Sequence, residues 1–255
     1  MAYIGTTEWY QRVSQGLVPG YSVIHKFGYG SVGTTLIPVS PAGVYQTPTT
    51  AQALEFVSSS VNDTAAGSGA REITVIGLDA NWAEVSQTVT TNGTTAVALG
   101  TNLIRLYRWY VSSSGTYASS AAGSHAGTLT IRAAGAGATW DTIGATPFPF
   151  GQSEIAAYTI PAGKTGYLVM KHYTVDGTKS YDIYFFKRES ANDVSAPYPA
   201  MRIVERELDI QGSVTSEFVI PRSGFAGPCD VGVMAKVASG TGSISAEFIL
   251  LLKDN

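Results

Sequence analysis

The chain has 255 residues, enough to bury a full core in one large β domain or two small ones. Only 14% of its residues are charged, against a usual ~25%, and the formal charge is −3. That balance argues against a nucleic-acid binder, which would need a basic face to neutralise phosphates, and it offers nothing to a membrane surface.

From the start to about Pro48, Gly, Pro and Ser recur at short intervals. The aromatics Tyr3, Trp9, Tyr10, Tyr21, Phe27, Tyr29 and Tyr45 follow no sustained period of 2 or 3.6. The stretch predicts an extended arm over residues 1–48, interrupted by one short helix from Glu8 to Gln15 with Thr7 as its N-cap. Such an arm must lie across its own domain or order itself on a neighbour. Residues 49–255 then read as a β domain, beginning with an apparent β-meander from Leu54 to Val97. A small-residue loop, Asn62 to Ala70, leads into an extended run from Arg71 to Leu78. Asp79, Ala80 and Asn81 supply a turn, because Asp and Asn side chains bond their own backbone. The strand Ala83 to Thr91 ends at Asn92-Gly93, the strongest short hairpin signal in the chain.

Leu103 to Val111, LIRLYRWYV, is apolar or aromatic on both faces, so both faces must be covered, by a second sheet and by the arm or a neighbouring subunit. Ser112 to Gly127 is a long Ser/Ala/Gly loop. Beyond it, extended runs at Thr128 to Ala133, Glu154 to Ile160, Gly166 to Val175 and Tyr181 to Arg188 are punctuated by the turn 161–164 and an Asp176-Gly177 hairpin. Arg202 to Ile210 alternates Val204, Leu208 and Ile210 against Glu205, Glu207 and Asp209, which leaves Arg206 on the apolar side in need of a partner. A final hairpin sets Val231, Val233, Ala235 and Val237 against Ile244, Ala246, Phe248, Leu250 and Leu252 across Gly240-Thr241-Gly242. About ten strands with turns roughly every 8 to 12 residues predict an antiparallel sandwich or barrel.

Chemistry is sparse. Cys229 is the one cysteine, which leaves no disulfide framework or Cys-rich metal site and reads as a buried thiol. The N-terminus has neither the basic nor the apolar segment of a signal peptide, and no run of ~18 apolar residues follows, so the expectation is a protein made and folded in a cytoplasm. The sequons at Asn62 and Asn92 then carry no weight. Gly163-Lys164-Thr165 suggests a phosphate loop, but Tyr158 stands where its first glycine would fall. His25, His125 and His172 are too scattered for a metal cluster. Glu205, Glu207 and Asp209 recur at ~6 to 7 Å steps on one strand face, spacing that a glycosidase carboxylate pair could use and that a solvated face produces equally well. No catalytic residue, cofactor or metal is implied.

The block VSSSVNDTAAGSGAREITVIGLDANWAEVSQTVTTNGTT resembles a family of virion structural proteins of tailed bacteriophages of cyanobacteria and marine bacteria. In that family a small-residue loop, a GLDANW-like turn and an NGTT hairpin follow in this order. HKFGYGSVGTT, YTIPAGKTGYL and the ending SGTGSISAEFILLLKDN extend the resemblance over Ile24 to Asn255. It implies a capsid decoration or cement protein with a jelly-roll-like sandwich, acting as a homotrimer on the capsid exterior after assembly in the host cytoplasm. Its partners would be the major capsid protein and itself, with no nucleic acid or membrane. Interface residues would be the arm aromatics Tyr3, Trp9, Tyr10, Tyr21, Phe27 and Tyr29 with Tyr107, Trp109 and Tyr110 of the doubly apolar strand. A head-fibre or tail module that binds carbohydrate is the competing expectation, and it calls for Trp9, Trp82, Trp109 or Trp140 exposed on one concave surface. An enzyme acting on a cell-surface polymer would instead need acidic residues converging in a groove.

Overall fold

The computed structural model describes residues 6–116, 122–147, 149–218 and 224–255. After helix α1 (Thr6–Ser14) come strands β1 (Tyr21–Val32), β2 (Ile37–Pro38), β3 (Leu54–Ser58), β4 (Ala70–Leu78), β5 (Glu84–Thr90) and β6 (Val97–Ala98). Next are β7 (Arg105–Ser114), β8 (Leu129–Ala133), β9 (Thr139–Ile143), β10 (Ala157–Ile160), β11 (Lys164–Val175) and β12 (Tyr181–Arg188). The last are β13 (Arg202–Ile210), β14 (Ser213–Glu217), β15 (Phe225–Ala226), β16 (Cys229–Val237) and β17 (Gly242–Asp254). The protein is all-β and its strand pairs are antiparallel. No helix among the described residues is long and apolar enough to cross a membrane.

The strands make two sandwiches rather than one. In the first, a sheet ordered β1-β17-β11-β14 faces a sheet ordered β10-β16-β12-β13. Period-2 alternation builds its core. Ile244, Ala246, Phe248, Leu250 and Leu252 of β17 point inward toward Val231, Val233, Ala235 and Val237 of β16, and the Phe248 ring meets Phe185 edge-on at 5.2 Å. In the second sandwich, β6-β3-β8-β9 faces β5-β4-β7 around Leu54, Phe56, Ile73, Val75, Trp109, Ile131 and Trp140.

The second sandwich is inserted into a single strand position of the first. Along β16, Ile37 and Pro38 of β2 lie opposite Ala235 and Met234, and Ala157 to Ile160 of β10 continue opposite Gly232 to Cys229. Between the two halves Val39 N–H donates to Val233 O, and Ala156 N–H donates to Val39 O at 2.9 Å. Everything from Ser40 to Ile155 therefore leaves and returns at one point. Gly28 and Gly30 of β1 face that point, where an added Cβ would strike the Ala156 and Ser40 backbone.

Several expectations are corrected. Residues 21–48 are not an arm, because β1 pairs with β17 from Tyr21↔Lys253 to Val32↔Gly242 as a structural edge of the first sandwich. Its central inward positions, between Ile24 and Val32, are polar or glycine (Lys26, Gly28, Gly30), which hid the alternation. The single domain over 49–255 is likewise divided between two cores. Leu54 to Val97 is not a meander, since β3 and β6 lie in one sheet and the β4–β5 hairpin in the facing one. Asp79 does organise that hairpin, its Oδ1 accepting from Asn81 N–H at 2.8 Å and Ala83 N–H at 3.1 Å. Asn92-Gly93, Asp176-Gly177 and Gly240-Thr241-Gly242 are turns, but each carries the chain from one sheet to the other, so the flanking strands face across a core instead of pairing.

The small-residue loop after β3 is held by Asp63. Its buried carboxylate accepts from Ala70, Ala126 and Gly127 N–H and from the Ser58 hydroxyl, tying the loop to the segment before β8.

Candidate interaction surface

Helix α1 begins at Thr6, within the turn where Thr7 was expected to cap it, and ends in a Schellman motif. Gly16 at φ 72° donates to Val13 O at 2.9 Å, and Leu17 N–H reaches Arg12 O at 2.8 Å, a left-handed turn that glycine makes at no steric cost. Glu8 in the first turn and Arg12 in the last complement the helix dipole. Val13 is buried and anchors the helix.

Alternation along β1 sends Lys26, Gly28, Gly30 and Val32 inward and leaves Tyr21, Val23, His25, Phe27 and Tyr29 on the outer face. The helix lies against the start of this face. Trp9 packs edge-on to both Tyr10 and Tyr21, each at 5.2 Å between ring centroids. Beside them an apolar hollow of about 270 Å³ is lined by Tyr10, Val23, Val169, Ile249 and Leu251 together with Gln11 and Ser14. Further along, His25 lies 6.3 Å from Phe27 and bonds Glu247 at 3.0 Å, and Tyr29, 43% exposed, bonds Ser243 Oγ at 3.1 Å. The result is an aromatic stripe running the length of an edge strand.

Five of the nine expected interface residues, Trp9, Tyr10, Tyr21, Phe27 and Tyr29, thus share one surface; Tyr3 lies outside the described residues. The expectation for Tyr107 and Trp109 is corrected, because the chain itself covers both. Trp109 fills the second core and donates from Nε1 to Asp141 Oδ2 at 2.8 Å. Tyr107 points the other way into the first core, edge-on to Tyr158 at 4.7 Å, with its hydroxyl donating to Glu84. Strand β7 is covered on both faces, as its composition required, but the cover is the chain's own two sandwiches. Tyr110 is half-buried on the second sandwich beside Arg108.

The polar groups at the seam between the sandwiches were not singled out from sequence. Lys26 is buried under the Tyr107 ring and donates to Tyr107 O, and burial pulls its ammonium down to about 7. Asp141 is buried nearby, and burial pushes its carboxyl up to about 7. Arg105 and Asp230 complete the set. Isolated charges inside the apolar strings LIRLYRWYV and CDVGVMAKV are the signal that could have found this last pair.

Glu205 and Glu207 close on Lys171 Nζ at 2.6 and 2.7 Å, with Lys171 buried, whereas Arg206 and Leu208 face outward. That reverses the expected faces in the middle of β13, where the physical reason is the buried cation waiting on β11, while Val204 and Ile210 pack against the first core as expected and Asp209 stays exposed. Cys229 is buried, and burial pushes its thiol up to about 12. Trp82, Trp109 and Trp140 are all buried, so no concave tryptophan surface forms from them. Among the described residues no three His, Cys, Asp or Glu side chains group to hold a metal ion.

The fold and surface define an all-β, two-sandwich protein with an aromatic outer stripe. No family model matches the chain, and no curated protein matches it. Among solved structures it is similar to the VP2 subviral particle of infectious bursal disease virus, at 12% identity over 93% of this chain and 73% of that one, with a TM-score of 0.23. The T=1 particles derived from that virus match at 13% identity over 92% and 70%, with a TM-score of 0.25. Superpositions that loose transfer neither fold nor function.

Proposed function

We propose that this chain is a non-enzymatic structural protein of a tailed-phage virion, a decoration or cement protein that binds the outer capsid surface and bridges neighbouring subunits. The observation that carries it is the stripe of Trp9, Tyr10, Tyr21, Phe27 and Tyr29, aromatic surface left over after both cores are filled. Aromatic side chains supply large contact area at low entropic cost and are enriched at protein interfaces. We further infer that the first sandwich is a jelly roll. Counting β2 and β10 as one strand, and β14 and β15, which both pair with β11, as another, its eight strands change sheet at every step except β12 to β13, the double Greek key of that architecture. Jelly rolls serve capsids and lectins alike, so the surface and not the fold bears the argument. A homotrimer repeats each modest contact by symmetry, which suits a shell under internal pressure. The capture of Glu205 and Glu207 by Lys171 favours a structural over a hydrolytic reading of that strand.

The test is the copy number of the chain relative to the major capsid protein in purified particles. Hundreds of copies support cement, a dozen or fewer support a tail or vertex station, and absence from particles overturns the proposal.

A further inference from the structure

A cleft of about 480 Å³ runs between the two sandwiches. Tyr29 and Ser31 of β1 form one side; Thr142 at the end of β9 and the connection bearing Phe150, Gln152 and Glu154 form the other. The volume lies within the ~300 to 1,000 Å³ usual for small-molecule sites. Two aromatic side chains are exposed along it, Tyr29 at 43% and Phe150 at 64%.

The polar groups between them are fixed in place and uncommitted. Tyr29 N–H donates to Glu154 O at 3.1 Å, Ser153 N–H donates to Trp109 O at 2.9 Å, and Gln152 is bridged to Tyr110, so the backbone under the site is pinned to both sandwiches. The half-buried Glu154 carboxyl makes no hydrogen bond or ion pair with any described residue, and neither does the exposed Gln152 amide. Burial raises the Glu154 carboxyl above its usual range. The lining contains no Lys or Arg, and its other polar side chains are neutral hydroxyls, Ser31, Thr142 and Thr146.

We propose that this cleft binds a neutral oligosaccharide. The Tyr29 and Phe150 rings take the C–H face of a pyranose, and the Glu154 carboxylate and Gln152 amide bond its hydroxyls. An anionic ligand would meet a lone carboxylate and no cation, while a simple amine would leave the amide and three hydroxyls unused. This inference shares Tyr29 with the particle-binding stripe but is carried by Phe150, Gln152 and Glu154, which lie outside that stripe, so the two readings can fail separately.

An array of neutral, sialylated and aminated oligosaccharides probed with the full chain, followed by titration calorimetry on the hits, tests it. Neutral glycans are expected to bind. Glu154→Gln should weaken them about tenfold, the scale of a lost charge-assisted hydrogen bond. Tyr29→Ala and Phe150→Ala should each weaken them as well, with melting temperatures near that of the unaltered protein. Tyr198→Ala, an exposed aromatic outside the cleft, should leave binding unchanged. No neutral hit, hits confined to sialylated or aminated glycans, or hits indifferent to Glu154→Gln and Phe150→Ala would each overturn it.

Discussion

Arg105 and Asp230, 125 residues apart in the chain, meet as a two-pronged ion pair, Nε to Oδ1 at 2.8 Å and Nη2 to Oδ2 at 3.0 Å, with 2% of each side chain exposed. One belongs to the inserted sandwich and the other to the first. Thr159 Oγ1 also donates to Asp230 at 2.6 Å, the Tyr45 and Thr159 hydroxyls bond at 2.6 Å, and the guanidinium lies 4.8 Å over the Trp82 ring.

Because one charge of a buried pair cannot be left alone cheaply, Arg105→Met should lower the unfolding free energy by about 3–5 kcal/mol. Arg105→Met combined with Asp230→Leu should cost less than the single change. Urea unfolding reports both, and a double variant as unstable as the sum of the singles would count against the pairing argument.

Asp63→Ala should open the loop after β3. It strands three backbone N–H groups and the Ser58 hydroxyl, at about 1–3 kcal/mol for each donor that stays buried. We expect a loss of roughly 3 kcal/mol after partial rehydration. Hydrogen exchange should quicken at Ala70 and Gly127 first; exchange that quickens uniformly would point to global unfolding instead.

Asp141 gives the fold a pH dependence of definite sign. Its carboxyl is raised to about 7 by burial, and neighbouring Glu154 adds to the rise while Lys26 and the Trp109 indole oppose it. Between about pH 4 and 7 the unfolded chain ionises this group while the folded chain keeps the proton. Its stabilising contribution is therefore full below the unfolded value and is lost as pH rises to about 7. Asp141→Asn should reduce the fall in urea midpoint from pH 5 to pH 7, and an unchanged fall would assign it to another group. Lys26, lowered to about 7, stays protonated in both states through most of this window.

Removing residues 1–20 deletes helix α1, uncovers Val23, Ile249 and Leu251, and leaves β1 whole. Binding to capsids stripped of this protein should fall sharply while the two sandwiches still melt cooperatively. Phe27→Ser, outside the deleted segment, should weaken binding independently. Undiminished attachment of both variants would rule out the stripe.

Turn chemistry and apolar alternation made the strands legible, but not which strands pair. Gly240-Thr241-Gly242 shows why. Val231 to Val237 and Ile244 to Leu252 carry the same inward apolar pattern whether they lie side by side in one sheet or face each other across a core, and only contacts distant in sequence choose between the two. β1 was illegible for a different reason. Its central inward positions hold Lys26, Gly28 and Gly30 because other backbone and the Tyr107 carbonyl crowd that side, so between Ile24 and Val32 its buried face carries no apolar run to read. The aromatic candidates divided along the same line. Residue type marked them as contact makers, and topology decided that Tyr107 and Trp109 make their contacts within the chain.

The single hydrogen bond from Ala156 to Val39 has an architectural consequence. Because the excursion from Ser40 to Ile155 starts and finishes beside that bond, a short linker could close the gap and leave all eight strand positions of the remaining scaffold in register. The chain is built as a frame with an exchangeable cassette. Replacing the cassette asks that Asp230 be neutralised together with the Arg105 it would lose, that buried Lys26 be given a new acceptor or replaced, and that whatever is installed cover the space where Leu78, Trp82, Ile104 and Tyr107 now sit.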